Sequence, residues 1–369
     1  MRSWVRPRAL SRGGTVGIVS PSGPVEREAL DRDVAAIRSM GFHTRLAPHV
    51  LDRRGYLAGS DADRAADLNA MFRDPGIDAV FCSRGGYGAA RILDLLDYET
   101  IRSERKVFVG FSDITALHIA IHRKARLVTF YGSIHQSTGV RAGIDRYTDI
   151  GPGIRESTGI GGPTGGGDRV VAGDTAEHST QYSVEHSVEN SAQDDVEHSA
   201  GYNTAGLLRA VSSRGPLGLL SNPPGEEPPA GLFGGRSRGR LVGGCLSLIA
   251  ASVGTPYDIE TSGAILAIEE VGERPYRIDR MLGQLKSSGK LGRVAGIVLG
   301  EFVGCQAERG KPTLTLDEIF DDYFAGLGVP VVSGLCFGHG DHRLTLPLGA
   351  MAEIDGDRGS LTIIEPATV

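Results

Sequence analysis

"KVFVGFSDITALHIAIHRKARLVTFYG", Lys106 to Gly132, decides the fold. Val107, Phe108 and Val109 make a short apolar run that stops at Gly110, the spacing of a buried strand. From Asp113 to Ala125 the apolar positions recur with helical spacing, and "LVTFYG" restores a strand-like run. Strand, helix, strand at these lengths predicts a βαβ unit with parallel neighbours. The same alternation extends upstream to Gly14. "TVGIVSPSG" reads as a strand entering a loop of small residues, and "REALDRDVAAIRSMG" as a helix ended by Gly41. "FHTRLAP" is a strand, and "DADRAADLNAMFRD" a helix capped by Asp61 or Asp63. "IDAVFCS" is a strand and "GAARILDLLD" a helix. The first 150 residues are therefore expected to form an α/β domain around a parallel sheet.

Residues 151–230 change character. "GIGGPTGGGD" is glycine-rich, and "EHSTQYSVEHSVENSAQDDVEHS" is a degenerate polar repeat. Such a segment cannot bury enough apolar surface to offset chain entropy, so it reads as a linker or insertion. His178, His186 and His198 recur with the repeat, a context that favours a solvated linker over a metal site. Residues 231–369 are expected to form a second, smaller domain of mixed α+β character. There "GAILAIEEV", "VAGIVLGEF" and "PVVSGLCFG" are strands, and "YRIDRMLGQLKSSG" and "LDEIFDDYFAGLG" are helices. "LTLPLGAMAEIDGDRGSLTII" reads as two strands around a turn.

The chain has 369 residues, enough for two domains. Its net charge of -6 is local: Val170 to Leu208 holds seven acids and no Lys or Arg, leaving 39 basic against 38 acidic residues elsewhere. No basic stripe points to nucleic acid. Cys82, Cys245, Cys305 and Cys336 are far apart, which argues against a zinc site or a disulfide framework and suits reduced thiols in the cytoplasm. The N-terminal residues lack an uninterrupted apolar core, and the longest mainly apolar stretch, Leu241 to Gly254, is too short to span a bilayer. A cytoplasmic protein with no membrane partner is expected.

Three groups of residues at strand ends could carry chemistry, since ligands in open α/β sheets gather at that edge. "FCSRGGYGAARIL" places Gly85, Gly86 and Gly88 between a strand and a helix. It fits a tight turn or an oxyanion-binding turn better than a dinucleotide fingerprint, because Arg91 stands where close helix–strand packing needs a small residue. Gly110-Phe111-Ser112-Asp113 has the strand–turn–helix setting of a nucleophile elbow without the second glycine of that motif. Ser112 reads equally well as a helix cap. In the second region Glu269, Glu270 and Glu273 lie at one strand end, and His339, between two glycines, lies at another with His342 beyond it. A serine nucleophile needs a base in reach and an acid to orient the base. The plainer role for Glu269 is a salt bridge to Arg277 or Arg280.

Seven motifs in order resemble the LD-carboxypeptidase family of serine peptidases, which includes the murein tetrapeptide LD-carboxypeptidases and the microcin C immunity peptidases. They are "SPSGPV", "SRGGYGAARILDLLDY", "VGFSDITALH", "TFYG", "GGCLSLIAASVGTPYDIE", "AILAIEEVGERPYRIDRML" and "GLCFGHGDHRLTLPLGA". The resemblance implies a flavodoxin-like N-terminal domain carrying Ser112 as nucleophile. It implies a C-terminal domain supplying Glu269 and His339 as the acid and base of a triad. It further implies an oxyanion hole from the backbone N–H groups of Gly86 and Asp113, a homodimer, and no cofactor or metal. The implied reaction is hydrolysis of an LD-peptide of murein tetrapeptide type, or of a microcin C-type peptidyl nucleotide. Arg84 is a candidate for the substrate's terminal carboxylate. Cys245 stands where the family commonly has Asn. A non-catalytic small-molecule binding protein is the remaining alternative, and the arginine in the fingerprint disfavours a nucleotide-dependent oxidoreductase.

Overall fold

A computed structural model describes residues 2–133, 201–307 and 310–369. The glycine-rich stretch and nearly all of the acidic repeat lie outside the described residues. The βαβ reading of Lys106–Gly132 holds: strand β4 (Val107–Gly110), the helix Thr115–Lys124 and strand β5 (Thr129–Tyr131) are consecutive, and β4 and β5 pair in parallel. Strands β1 (Thr15–Val19), β2 (His43–Leu46) and β3 (Ala79–Cys82) extend the same sheet. With one further strand, β12 (Leu346–Leu348), its order is β12-β5-β4-β3-β1-β2, six strands in all.

The edge strand β12 (Leu346–Leu348) comes from the C-terminal region and runs antiparallel to β5, with Leu346 opposite Tyr131. It covers hydrogen-bonding groups that β5 would otherwise present at an open edge. The two halves of the chain therefore share a sheet and are not separable as their patterning suggests. The segment "GAARILDLLD" also differs from expectation. It folds as a 3-10 helix over Ala89–Leu95, entered from Gly88 at φ 129°.

The second sheet has eight strands in the order β6-β14-β13-β8-β9-β10-β11-β7. Its centre is parallel: β8 (Arg236–Cys245), β9 (Ala264–Val271), β10 (Gly296–Val303) and β11 (Val331–Ser333). The flanking strands β6 (Pro216–Leu220), β7 (Ala230–Phe233), β13 (Met351–Asp355) and β14 (Ser360–Pro366) pair antiparallel. Residues 201–230, read above as part of a linker, contain β6, β7's first residue and a helix over 201–212. Leu207, Ala210 and Val211 of that helix are buried in the larger core, which gives it an apolar face the polar repeat before it lacks. No helix among the described residues is long and apolar enough to cross a membrane.

The end of β4 is braced from within. His118 is buried, with Nε2 2.9 Å from the Gly110 carbonyl oxygen and Nδ1 2.8 Å from Thr129 Oγ1. The carbonyl can only accept, so Nε2 carries the proton and Nδ1 accepts from the hydroxyl. Burial pulls the His118 pKa down to about 4. The unfolded chain binds this proton near about pH 6.5, so folding stability is present above that pH and lost as pH falls toward 4. The thermal midpoint is expected to drop between about pH 7 and pH 5, less steeply in His118→Asn. Identical slopes in the two proteins would remove His118 as the source.

Candidate active site

Ser112 follows β4 directly and holds φ at 60°, one of three non-glycine residues with positive φ among those described. A β-carbon residue in that region costs about 1–3 kcal/mol and persists only where surrounding contacts impose it. The helix-cap alternative fails here: neither the 3-10 turn Ser112–Ile114 nor the helix Thr115–Lys124 has a side-chain cap. The turn is held instead by its own N–H, which donates to Tyr131 Oη at 3.0 Å. Tyr131, at the end of β5, donates its hydroxyl proton to Glu269 Oε1 at 2.6 Å. Burial and the neighbouring carboxylate push the Tyr131 pKa well above the usual phenol value, so it remains a donor.

Glu269 lies on β9 and is fully buried. Its Oε2 is 2.7 Å from Nδ1 of His339, itself only 7% exposed. The carboxylate accepts, so Nδ1 is the protonated nitrogen and Nε2 is left as the basic one. Glycines on both sides of His339 make this approach possible. A Cβ at Gly338, where φ is 116°, would lie 2.6 Å from Glu269 Oε2, and one at Gly340 would lie 2.0 Å from Glu301 Oε1. The His339 ring also packs against Phe111, the residue before Ser112, with ring centroids 5.3 Å apart. Ser112, Glu269 and His339 are thus linked through Tyr131 across both sheets. The salt-bridge alternative for Glu269 falls away: its two oxygens face Tyr131 and His339, Arg277 pairs with Glu273 at 3.2 Å, and Arg280 lies over the Tyr276 ring.

The glycine turn after β3 lies against the serine. A Cβ on Gly85 would stand 2.6 Å from Ser112 Cβ and 3.0 Å from its Oγ. Gly86 has φ 113° and packs on Gly23, whose N–H donates to Gly85 O at 3.1 Å. Asp113 fastens three strand-end loops together: its buried carboxylate accepts from Ser22 Oγ at 2.5 Å and from the Ala89 N–H at 2.8 Å. Burial pushes its pKa up, and these bonds oppose that rise. Arg64, also buried, donates to the carbonyls of Pro21 and Gly88 and pairs with Asp61. Arg91, the residue that spoils the dinucleotide fingerprint, makes a two-pronged pair with Asp61 at 2.9 and 2.7 Å. Arg84 is exposed, and its Nη1 donates to the Pro24 carbonyl at 3.2 Å.

Four contributors escape a reading of sequence alone. Tyr131 stands in the "TFYG" motif but carries no local sign of its hydroxyl's partners. Asn203 donates to the Asp341 carbonyl at 2.9 Å and accepts from the Arg343 N–H at 2.6 Å, closing the loop that bears His339. Glu301 accepts from the Gly340 N–H at 3.1 Å, and burial pushes its pKa up to about 7. Arg343 lies buried on the same loop. Cys245 presents its N–H, 3.0 Å from Thr115 Oγ1, while its thiol faces Glu270 at 3.4 Å. Burial raises the pKa of both groups, Glu270 despite N–H bonds from Ser247 and Val271. His342 faces Glu226 at 3.1 Å. Among the described residues the one grouping with metal-ligand spacing is His49, Asp52 and Asp63, where His49 Nδ1 already hydrogen-bonds Asp52 at 2.9 Å.

The LD-carboxypeptidase N-terminal domain matches residues 16–132, and the LD-carboxypeptidase C-terminal domain matches 238–354. The chain belongs to the LD-carboxypeptidase family, a family of serine peptidases. A Streptomyces coelicolor protein is 40% identical over 100% of this chain and 98% of its own. The "Probable murein peptide carboxypeptidase" of Bacillus subtilis is 33% identical over 95% of this chain and 91% of its own. The fold matches the microcin C7 self-immunity protein MccF bound to glutamyl sulfamoyl guanosine, with a TM-score of 0.74 at 21% identity over 99% of each chain.

Two substitutions test the geometry. Gly85→Ala puts a methyl group into Ser112, so kcat for an LD-peptide should fall by about tenfold or more, and the thermal midpoint should fall too, because a Cβ 2.6 Å from Ser112 Cβ overpacks the turn. Tyr131→Phe leaves the Ser112 N–H and one Glu269 oxygen without their shared partner, a loss of about 1–3 kcal/mol. Turnover should fall accordingly, and full activity in Tyr131→Phe would show that the bridge does not matter to the reaction.

Proposed function

We propose that this enzyme is a serine carboxypeptidase that cleaves an LD-peptide bond of murein tetrapeptide type through Ser112, His339 and Glu269. The observation that carries this reading is the bonded path from the strained Ser112 turn through Tyr131 to Glu269 and on to Nδ1 of His339. In the proposed reaction His339 Nε2 removes the Ser112 Oγ proton as the oxygen attacks the scissile carbonyl. Glu269 holds the imidazole in the required tautomer and favours the imidazolium that forms. The imidazolium then protonates the departing amine of the terminal D-amino acid, leaving an ester on Ser112. Water enters, gives a proton to His339, and the hydroxide equivalent releases the acyl group and restores the serine.

Charge on the carbonyl oxygen is assigned to the backbone N–H groups of Gly86 and Asp113. Gly85 lies against Ser112, and the Asp113 side chain is fixed by Ser22 and Ala89, which favours two donors held ready beside the nucleophile. One such donor is worth about 3–4 kcal/mol of barrier. Arg84 is the candidate for the substrate's terminal carboxylate, and it would have to exchange its Pro24 carbonyl for that group.

A second reading keeps the chemistry and changes the acyl group. The solved relative holds glutamyl sulfamoyl guanosine, so an aminoacyl-sulfamoyl nucleotide is the competing substrate class. The murein reading is preferred because of the 33% identical relative. Side-by-side assays of a murein tetrapeptide and an aminoacyl-sulfamoyl nucleotide decide between them, with higher kcat/KM expected on the tetrapeptide. Ser112→Ala should lower kcat by about a thousandfold or more on the accepted substrate. Unchanged hydrolysis in Ser112→Ala would sink the triad.

A further inference from the structure

We propose that Arg343 is a positioning residue that ties the loop bearing His339 to the turn bearing Ser112, using the ring of Phe111 as the shared surface. The proposal rests on the reading of Ser112 as nucleophile and His339 as base. Arginine is rarely buried, yet Arg343 is only 4% exposed. Its Nε donates to the Gly340 carbonyl at 2.9 Å, one residue beyond His339. Its guanidinium carbon lies 5.4 Å from the centre of the Phe111 ring, within the range of a cation–π contact. The same ring lies 5.3 Å from the His339 ring, tilted by 47°. Phe111 has extended backbone and leads directly into the strained Ser112. One aromatic side chain therefore touches the base, touches the arginine that grips the base's loop, and is joined by a peptide bond to the nucleophile.

The loop is gripped at Gly340 from both sides. Glu301 accepts from the N–H at 3.1 Å and Arg343 donates to the carbonyl at 2.9 Å, so the peptide groups on both sides of the Gly340 Cα are held by side chains. Asn203 adds bonds to the Asp341 carbonyl and the Arg343 N–H. The acidic groups facing Arg343 are Asp341 on its own loop, Glu301 on β10 and Glu269 on β9, with the Tyr131 hydroxyl on β5. Burial lowers its pKa, and these neighbours oppose that shift, so it remains a cation.

The test uses the full-length enzyme, an LD-tetrapeptide of murein type, and a fluorophosphonate that labels an activated serine. Arg343→Met should lower kcat and the labelling rate by about 10- to 100-fold, with KM within about threefold. Arg343→Lys should restore much of the rate, since an ammonium keeps the charge and can donate to the Gly340 carbonyl. Phe111→Leu should lower kcat in the same way, and should cost little more when added to Arg343→Met. Should Arg343→Met not fold, Arg343→Lys and Phe111→Leu carry the test, and a wild-type rate in Phe111→Leu overturns the proposal. It is equally overturned if Arg343→Met keeps the wild-type kcat and labelling rate, or if Arg343→Lys rescues neither. Failure of the triad looks different: wild-type Ser112 goes unlabelled, or Ser112→Ala still turns over.

Discussion

A single buried carboxylate joins the two halves of this site. Glu269 is fully excluded from water, so its charge must be answered by donors close at hand. One comes from the first sheet, the Tyr131 hydroxyl, and the other from the second, the His339 ring. Each oxygen has one partner, and removing either would leave a buried lone pair facing apolar surroundings. The position of the imidazole and the position of the Ser112 backbone are thereby referred to the same atom pair. Sheet-sharing through β12 makes the reference rigid, because Leu346 pairs with Tyr131 itself. Arg343 on the preceding loop then contacts Phe111.

The glycines follow from this crowding. Gly338 is needed because its missing side chain is the space that Glu269 occupies, and Gly85 because that space belongs to Ser112. Gly244, at φ 131°, stands where a Cβ would be 2.5 Å from Thr115 Oγ1, so the end of β8 can reach the helix behind the serine. These are requirements of space first, with conformation added at Gly338 and Gly244. Of these three, Gly244 marks a place where backbone from one half meets a side chain of the other.

That distinction explains what was legible in the sequence. Periodicity is a local property, and it revealed the parallel sheet around Lys106–Gly132 because each strand and helix carries its own pattern. The candidate residues Ser112, Glu269 and His339 were visible as polar residues at strand ends, and ordered motifs gave them roles. Periodicity could not show that β12 crosses to the first sheet, since three residues, Leu346 to Leu348, carry no signal of their partner. The helix over 201–212 was hidden by the polar repeat that precedes it, although Leu207, Ala210 and Val211 give it a buried face. Arg343 and Asn203 were invisible for a deeper reason. An arginine and an asparagine are ordinary surface residues by type, and only tertiary burial turns them into fixed donors.

The same logic bears on why a serine tolerates φ of 60° here. A positive φ at a non-glycine residue would relax if its neighbours allowed it. Ser112 cannot relax toward the sheet, because its N–H is committed to Tyr131, nor away from it, because Gly85 lies against its side chain. Asp113, the next residue, is anchored through Ser22 and Ala89 to the loops after β1 and β3. Phe111, the previous one, is packed between His339 and Arg343. The strain at Ser112 is therefore maintained by four strand ends and one loop of the second half, and a change at any of them acts on the serine through its backbone.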